Sequence, residues 1–98
     1  MLLGLDYDGT YTLDPDCWDQ VIELFKKKEH EVVLVTLRYS PPEDRVPKTR
    51  IICTSRMAKE KFCLSIGLKV DVWSDDTPFF INVNHHTYQE KISCLHQP

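Results

Sequence analysis

In Met1-Leu2-Leu3-Gly4-Leu5-Asp6-Tyr7-Asp8-Gly9-Thr10 an apolar run meets a pair of aspartates. Met1 to Leu5 is short, apolar and bounded by a polar turn, the pattern of a buried strand. Side chains two apart on a strand share a face. Asp6 and Asp8 therefore start on one face, and the turn at Gly9 re-aims the second. Two carboxylates at the carboxyl end of a buried strand are costly to leave unpaired. A divalent cation removes much of that cost, because its charge lets both stay ionised. Such a pair suits phosphoryl chemistry: one carboxylate attacks phosphorus and the other handles the leaving group's proton. The alternative at this point is an Asp-rich turn in which Gly9 supplies a positive φ.

Further along, Leu13-Asp14-Pro15-Asp16 reads as a helix start, with Asp14 as N-cap and Pro15 in the first turn. Trp18, Val21, Ile22 and Phe25 recur at helical spacing, and Lys26-Lys27-Lys28 fall where the helix dipole favours cations. A helix is expected from Pro15 to Glu29, with the lysine run a solvated end rather than a binding patch. Glu31 to Leu37 is a near-continuous β-branched run, as expected of a strand covered on both faces in a parallel sheet. A strand, a helix and a parallel strand form one right-handed crossover, and ligands bind at the carboxyl ends of such strands. Thr36 falls at that end, either as a ligand hydroxyl or as a threonine suited to a strand.

Arg38 to Lys48 holds Pro41, Pro42 and Pro47 among charges and reads as a loop. Arg38 there is placed either to meet a substrate phosphate or to pair with Glu43 or Asp44. Arg50 to Thr54 reads as a third strand. Ser55 reads as an N-cap, Arg56 to Ile66 as a helix and Gly67 as its C-cap. Leu68 to Trp73 reads as a fourth strand, followed by Asp75-Asp76 in what is otherwise a simple turn. Phe80 to Asn84 reads as a short strand or a loop end, and Tyr88, Ile92 and Leu95 suggest a closing helix. The adjacent His85 and His86 point to opposite faces of any strand and have no third ligand at a zinc spacing.

Asp6-Tyr7-Asp8-Gly9-Thr10 resembles the first motif, DxDG[TV], of the haloacid-dehalogenase-like (HAD) phosphohydrolases. Thr36 resembles the second motif, a strand-end Ser or Thr. Lys59, or failing it Lys61, resembles the third, and Asp75-Asp76 the fourth, an acidic pair. The four occur in family order across most of Met1 to Phe79. The spacings leave no room for a folded cap, so the chain is most similar to small capless members of phage or bacterial type. The resemblance implies a three-layer α/β/α Rossmann-like fold with a short, mainly parallel sheet. Its order would be third, second, first, fourth strand, all within a single domain from residue 1 to 98.

The resemblance also implies a Mg²⁺-dependent phosphatase acting on a small or exposed phosphate ester through an aspartyl-phosphate. In it Asp6, Asp8 and Lys59 are catalytic, and Gly9, Thr36 and Lys59 bind the phosphate. Asp6, Asp8, Asp75 and Asp76 hold the metal. An open site leaves specificity to loops, where Tyr11, Arg38, Tyr39 and Arg45 are the candidates to stack on a base or pair with phosphate. The alternatives are a non-catalytic HAD-like protein that sequesters a phosphorylated or nucleotide-like ligand, and a regulatory protein whose aspartates only hold a cation.

The chain has 98 residues, 42% apolar and 28% charged, which fits one ordinary globular domain. Its 12 basic and 15 acidic residues leave a net charge of −3, which argues against general nucleic-acid binding. The apolar strand at Met1 leaves no room for a signal peptide, and no run is long enough to span a membrane. The expected location is the cytoplasm, a host's if the chain is phage-encoded. Cys17, Cys53, Cys63 and Cys94 match no zinc spacing and are expected as reduced thiols, three of them in apolar surroundings. A homo-oligomer would be one way to cover an exposed face of so small a sheet.

Overall fold

The computed structural model describes residues 1–43 and 48–85. Four strands, β1 (Leu2–Asp6), β2 (Glu31–Thr36), β3 (Arg50–Cys53) and β4 (Val72–Ser74), combine with helices α1 (Pro15–Lys27), α2 (Lys59–Ser65) and α3 (Phe79–Asn82) in the order β1-α1-β2-β3-α2-β4-α3. All pairings are parallel and the sheet order is β3-β2-β1-β4, the order that the resemblance implies. The chain is thus an α/β protein on a small parallel sheet, compatible with a Rossmann-like layout.

Both central strands are buried along their apolar length, which is why neither alternates in sequence. Leu3, Leu5, Val32 and Leu34 pack with Ile22, Trp18, Val21 and Phe25 of α1. Leu2, Val33 and Val35 pack on the other face with Cys63 and Phe62 of α2. The period of two along β1 therefore sends odd positions toward α1 and even positions toward α2. Leu5, Leu34 and Val35 are fully buried; each such side chain contributes about 1.5–3 kcal/mol of transfer free energy.

Helix ends follow local chemistry. Asp14 Oδ1 accepts the Cys17 N–H at 3.1 Å, the expected N-cap. Helix α1 stops at Lys27, short of the expected Glu29, because Glu29 turns left-handed at φ 64° and the His30 N–H closes onto Phe25 O. Gly67 at φ 82° ends α2, with the Leu68 N–H donating to Cys63 O at 2.8 Å.

Three expectations need correction. Helix α2 begins at Lys59, not Arg56, because Ser55 and Arg56 are left-handed at φ 52° and 71°; Asn84 Oδ1, not Ser55, accepts the Ala58 N–H at its start. Strand β4 is only Val72–Ser74, since Leu68 is spent closing α2 and Asp71 binds the backbone of Leu2 through both its N–H and its carboxylate. Phe79–Asn82 is a short helix, not a strand, started by Pro78 in helical geometry at φ −61°. The expected closing helix around Tyr88, Ile92 and Leu95 lies outside the described residues, as do Asp44, Arg45, His86 and Cys94. No helix among the described residues is long and apolar enough to cross a membrane.

Candidate functional site

The carboxyl ends of the four strands open into a cleft of about 640 Å³. Asp6 ends the central strand β1. Its even position points it to the face covered by α2, whose first residue is Lys59. Lys59 is 2% exposed, and its Nζ donates to Asp6 Oδ1 at 2.8 Å and to Asp75 Oδ2 at 2.5 Å. The stem of Lys59 is thereby buried at the sheet edge, while Lys61 is exposed on the helix surface. Asp75 follows β4 and also accepts the Thr77 N–H at 2.9 Å. Thr10 ties the floor together: its hydroxyl donates to Asp6 Oδ2 at 3.2 Å and accepts the Asp76 N–H at 3.2 Å.

One carboxylate oxygen from each of Asp6, Asp75 and Asp76 lies within 4.8 Å of the others. Against these three acids stands the single Lys59 ammonium. Burial, and then a hydrogen bond shared with Asp76, push the Asp6 carboxyl up to about 7, against the pull of Lys59. Three clustered carboxylates against one ammonium leave the site short of positive charge. Clustered hard oxygen donors and that deficit fit a divalent cation. The cluster could hold a metal ion through Asp6, Asp75 and Asp76.

Asp8 lies apart from this cluster. The turn at Gly9 (φ 83°) re-aims it to the cleft mouth, where Arg38 binds it at two points, Nε to Oδ2 at 2.9 Å and Nη2 to Oδ1 at 2.7 Å. Those hydrogen bonds hold the Asp8 carboxyl below the usual carboxylate range. The Arg38 guanidinium also lies 5.4 Å over the Tyr7 ring. Thr36 is 1% exposed at the end of β2, lines the cleft and accepts the Arg38 N–H on its hydroxyl at 3.3 Å. Tyr39 stands exposed on the cleft wall.

Comparison with protein-family models, with curated proteins and with solved structures returns no match. The reading of the site therefore rests on its geometry.

Two sequence-derived candidates fall elsewhere. Tyr11 is not at the cleft: a 3₁₀ turn over Tyr11–Leu13 folds it into the core at 0% exposure, stacked 5.5 Å from Tyr7 with its hydroxyl on Asp19 Oδ1. The Gly9 N–H donates to Thr12 Oγ1 at 3.0 Å, so its amide is engaged within the turn rather than presented to a phosphate. Sequence reasoning also passed over Thr10, Arg56 and Phe80 as site residues, and weighed His85, which lines the cleft, only as a zinc ligand. Thr10 was visible as the last residue of the DxDGT stretch. Nothing local marks Arg56, which reads as an ordinary helical residue until its left-handed backbone turns it toward the cleft.

Proposed function

We propose that the chain is a Mg²⁺-dependent phosphohydrolase that acts on a small or exposed phosphate ester through an aspartyl-phosphate on Asp6. The observation that carries this reading is Asp6 at the end of the central strand, held by buried Lys59 and facing the Asp75 and Asp76 carboxylates at the floor of an open cleft. The HAD-like order of motifs agrees with it.

In this reading an Asp6 oxygen attacks phosphorus and the bond to the leaving oxygen breaks. Asp8 gives that oxygen its proton, then takes one from the water that hydrolyses the aspartyl-phosphate. Lys59 and Thr36 hold phosphoryl oxygens, so catalysis is largely positioning and charge stabilisation. Bound Mg²⁺ would supply positive charge at the acidic cluster, which lets Asp6 stay ionised near neutral pH. Asp8 must leave Arg38 before it can carry a proton, and an incoming phosphate offers Arg38 a competing partner.

The test is Mg²⁺-dependent hydrolysis of an aryl phosphate, with loss of turnover in Asp6→Asn and a beryllofluoride adduct on Asp6 in a crystal soak. Turnover that survives Asp6→Asn overturns the nucleophile assignment. The Arg38–Asp8 pair favours a second reading, a HAD-like protein that sequesters a phosphorylated or nucleotide-like ligand. Binding without hydrolysis by the wild-type chain would select it.

A further inference from the structure

We infer that Arg56 binds a second anionic group, so that the phosphate esters taken by this cleft carry a carboxylate or another phosphate on their organic part. The inference rests on the phosphohydrolase reading for the position of the first phosphate.

Among the described residues three cations line the cleft: Arg38, Lys59 and Arg56. Arg38 is engaged with Asp8, and Lys59 with Asp6 and Asp75. Among the described residues no carboxylate forms a direct ion pair with Arg56, although its charge reaches Asp8 and helps to lower that carboxyl. Its Nε is a buried donor without a hydrogen-bond partner. Buried polar groups are as a rule hydrogen-bonded, so this guanidinium, on the cleft wall and without an ion pair, is not satisfied by the fold itself.

The backbone holds this residue in place at some strain. Ser55 and Arg56 are consecutive non-glycine residues in the left-handed region, at φ 52° and 71°. That geometry is fixed by the Ser55 N–H on Arg38 O at 3.2 Å, the Arg56 N–H on Leu37 O at 2.9 Å and the His85 N–H on Arg56 O at 2.7 Å. The guanidinium lies 5.7 Å over the Tyr39 ring, a platform that keeps its planar fork oriented. A fixed fork matches two oxygens of a carboxylate or a phosphate.

Sheet order supplies the spacing. Arg56 follows β3 at one edge and Asp75-Asp76 follow β4 at the other, with Asp6 on β1 between them. Strands β3 and β1 are two places apart, about 10 Å between backbones. A phosphate on Asp6 therefore leaves the β3 side of the cleft, with Arg56, for a distal anion of the same molecule.

The experiment compares phenyl phosphate, 4-carboxyphenyl phosphate and 1,4-phenylene bisphosphate. Their binding to the Asp6→Asn chain with Mg²⁺ is measured by calorimetry, and their relative kcat/KM on the wild type. We expect each doubly anionic ester to bind and react ~10-fold better than phenyl phosphate, beyond the statistical gain of a second equivalent phosphate. Arg56→Ala and Arg56→Gln should collapse that ratio, and Arg56→Lys should restore part of it. The carboxylate and bisphosphate arms tell which anion the fork prefers. A ratio near one in the wild-type sequence, or a ratio that both neutral variants keep, overturns the inference. Because the ratio is internal to each variant, general structural damage does not mimic the loss. If nothing is hydrolysed, the phosphohydrolase reading fails alone, and the binding ratio still decides the role of Arg56.

Discussion

Arg38 grips both carboxylate oxygens of Asp8, at 2.9 and 2.7 Å, across the mouth of the cleft. The pair is half exposed, with side-chain exposures of 44% and 53%, so water and salt weaken it. It is therefore no prop of the fold, and in the phosphohydrolase reading an incoming phosphate opens it. Arg38→Ala should raise the Asp8 pKa toward the ordinary carboxylate value and change global stability by less than about 1 kcal/mol. Carboxyl ¹³C NMR titration and urea unfolding measure the two effects. An unmoved Asp8 pKa would show that the pair does not persist in solution.

Asp6 gives a pH prediction of opposite sense. Its carboxyl lies at about 7 in the fold against an ordinary 3.8. Between those values the native state holds a proton that the unfolded chain has released. Its contribution to stability is therefore present at low pH and is lost as pH rises through the window, levelling off above about 7. The wild-type chain without metal should lose thermal stability relative to Asp6→Asn from roughly pH 4 to 7. If the cluster holds Mg²⁺ as proposed, the ion binds its ionised form and the stabilising shift should grow over the same range. Melting curves of both chains, with and without Mg²⁺, decide it; a gap between them that does not vary with pH would refute the assignment.

Among the described residues Lys59 is the one cation buried against Asp6 and Asp75. Removing its charge leaves the Asp75 carboxylate, and Asp6 wherever it is ionised, without their counter-ion. Lys59→Met should cost roughly 3–5 kcal/mol in the absence of metal. Asp75→Asn in the same chain should recover part of that loss, because it removes one of the orphaned charges. Urea unfolding of the two single variants and the double variant closes the cycle. A coupling energy near zero would mean that the ion pair is not formed.

Much of this architecture was legible because its signals are local. Apolar runs of strand length, Asp14-Pro15 at a helix start and Gly67 at a helix end each act within a few residues. Parallel crossovers then bring the strand ends to one edge, and with them Asp6, Thr36 and Asp75-Asp76. What could not be read depends on contacts remote in sequence. The Asn84 carboxamide on the Ala58 N–H and the Asp71 grip on Leu2 are set by packing across the fold, and they shift α2 and β4 from their expected bounds. The left-handed turn at Ser55-Arg56 breaks the local preference of two ordinary residues, and tertiary hydrogen bonds hold it there. Tyr11 reads as a loop aromatic near the motif, yet burial against Tyr7 and the hydroxyl bond to Asp19 take it into the core.

Gly9 and Gly67 make a controlled pair for the metal cluster. Both are left-handed, at φ 83° and 82°, so alanine at either meets the same backbone penalty, about 1–2 kcal/mol. Their surroundings differ. A Cβ on Gly9 would collide with Asp76 Oδ2, whereas one on Gly67 meets nothing within 4 Å. Gly67→Ala should lower stability and leave the Mg²⁺-induced rise in melting temperature intact. Gly9→Ala should lower stability at least as much and also shrink the Mg²⁺ response, because Asp76 must move off the other two carboxylates. Melting temperatures of both variants across a Mg²⁺ titration separate backbone strain from displacement of the ligand. Equal Mg²⁺ responses in the two would remove Asp76 from the metal site.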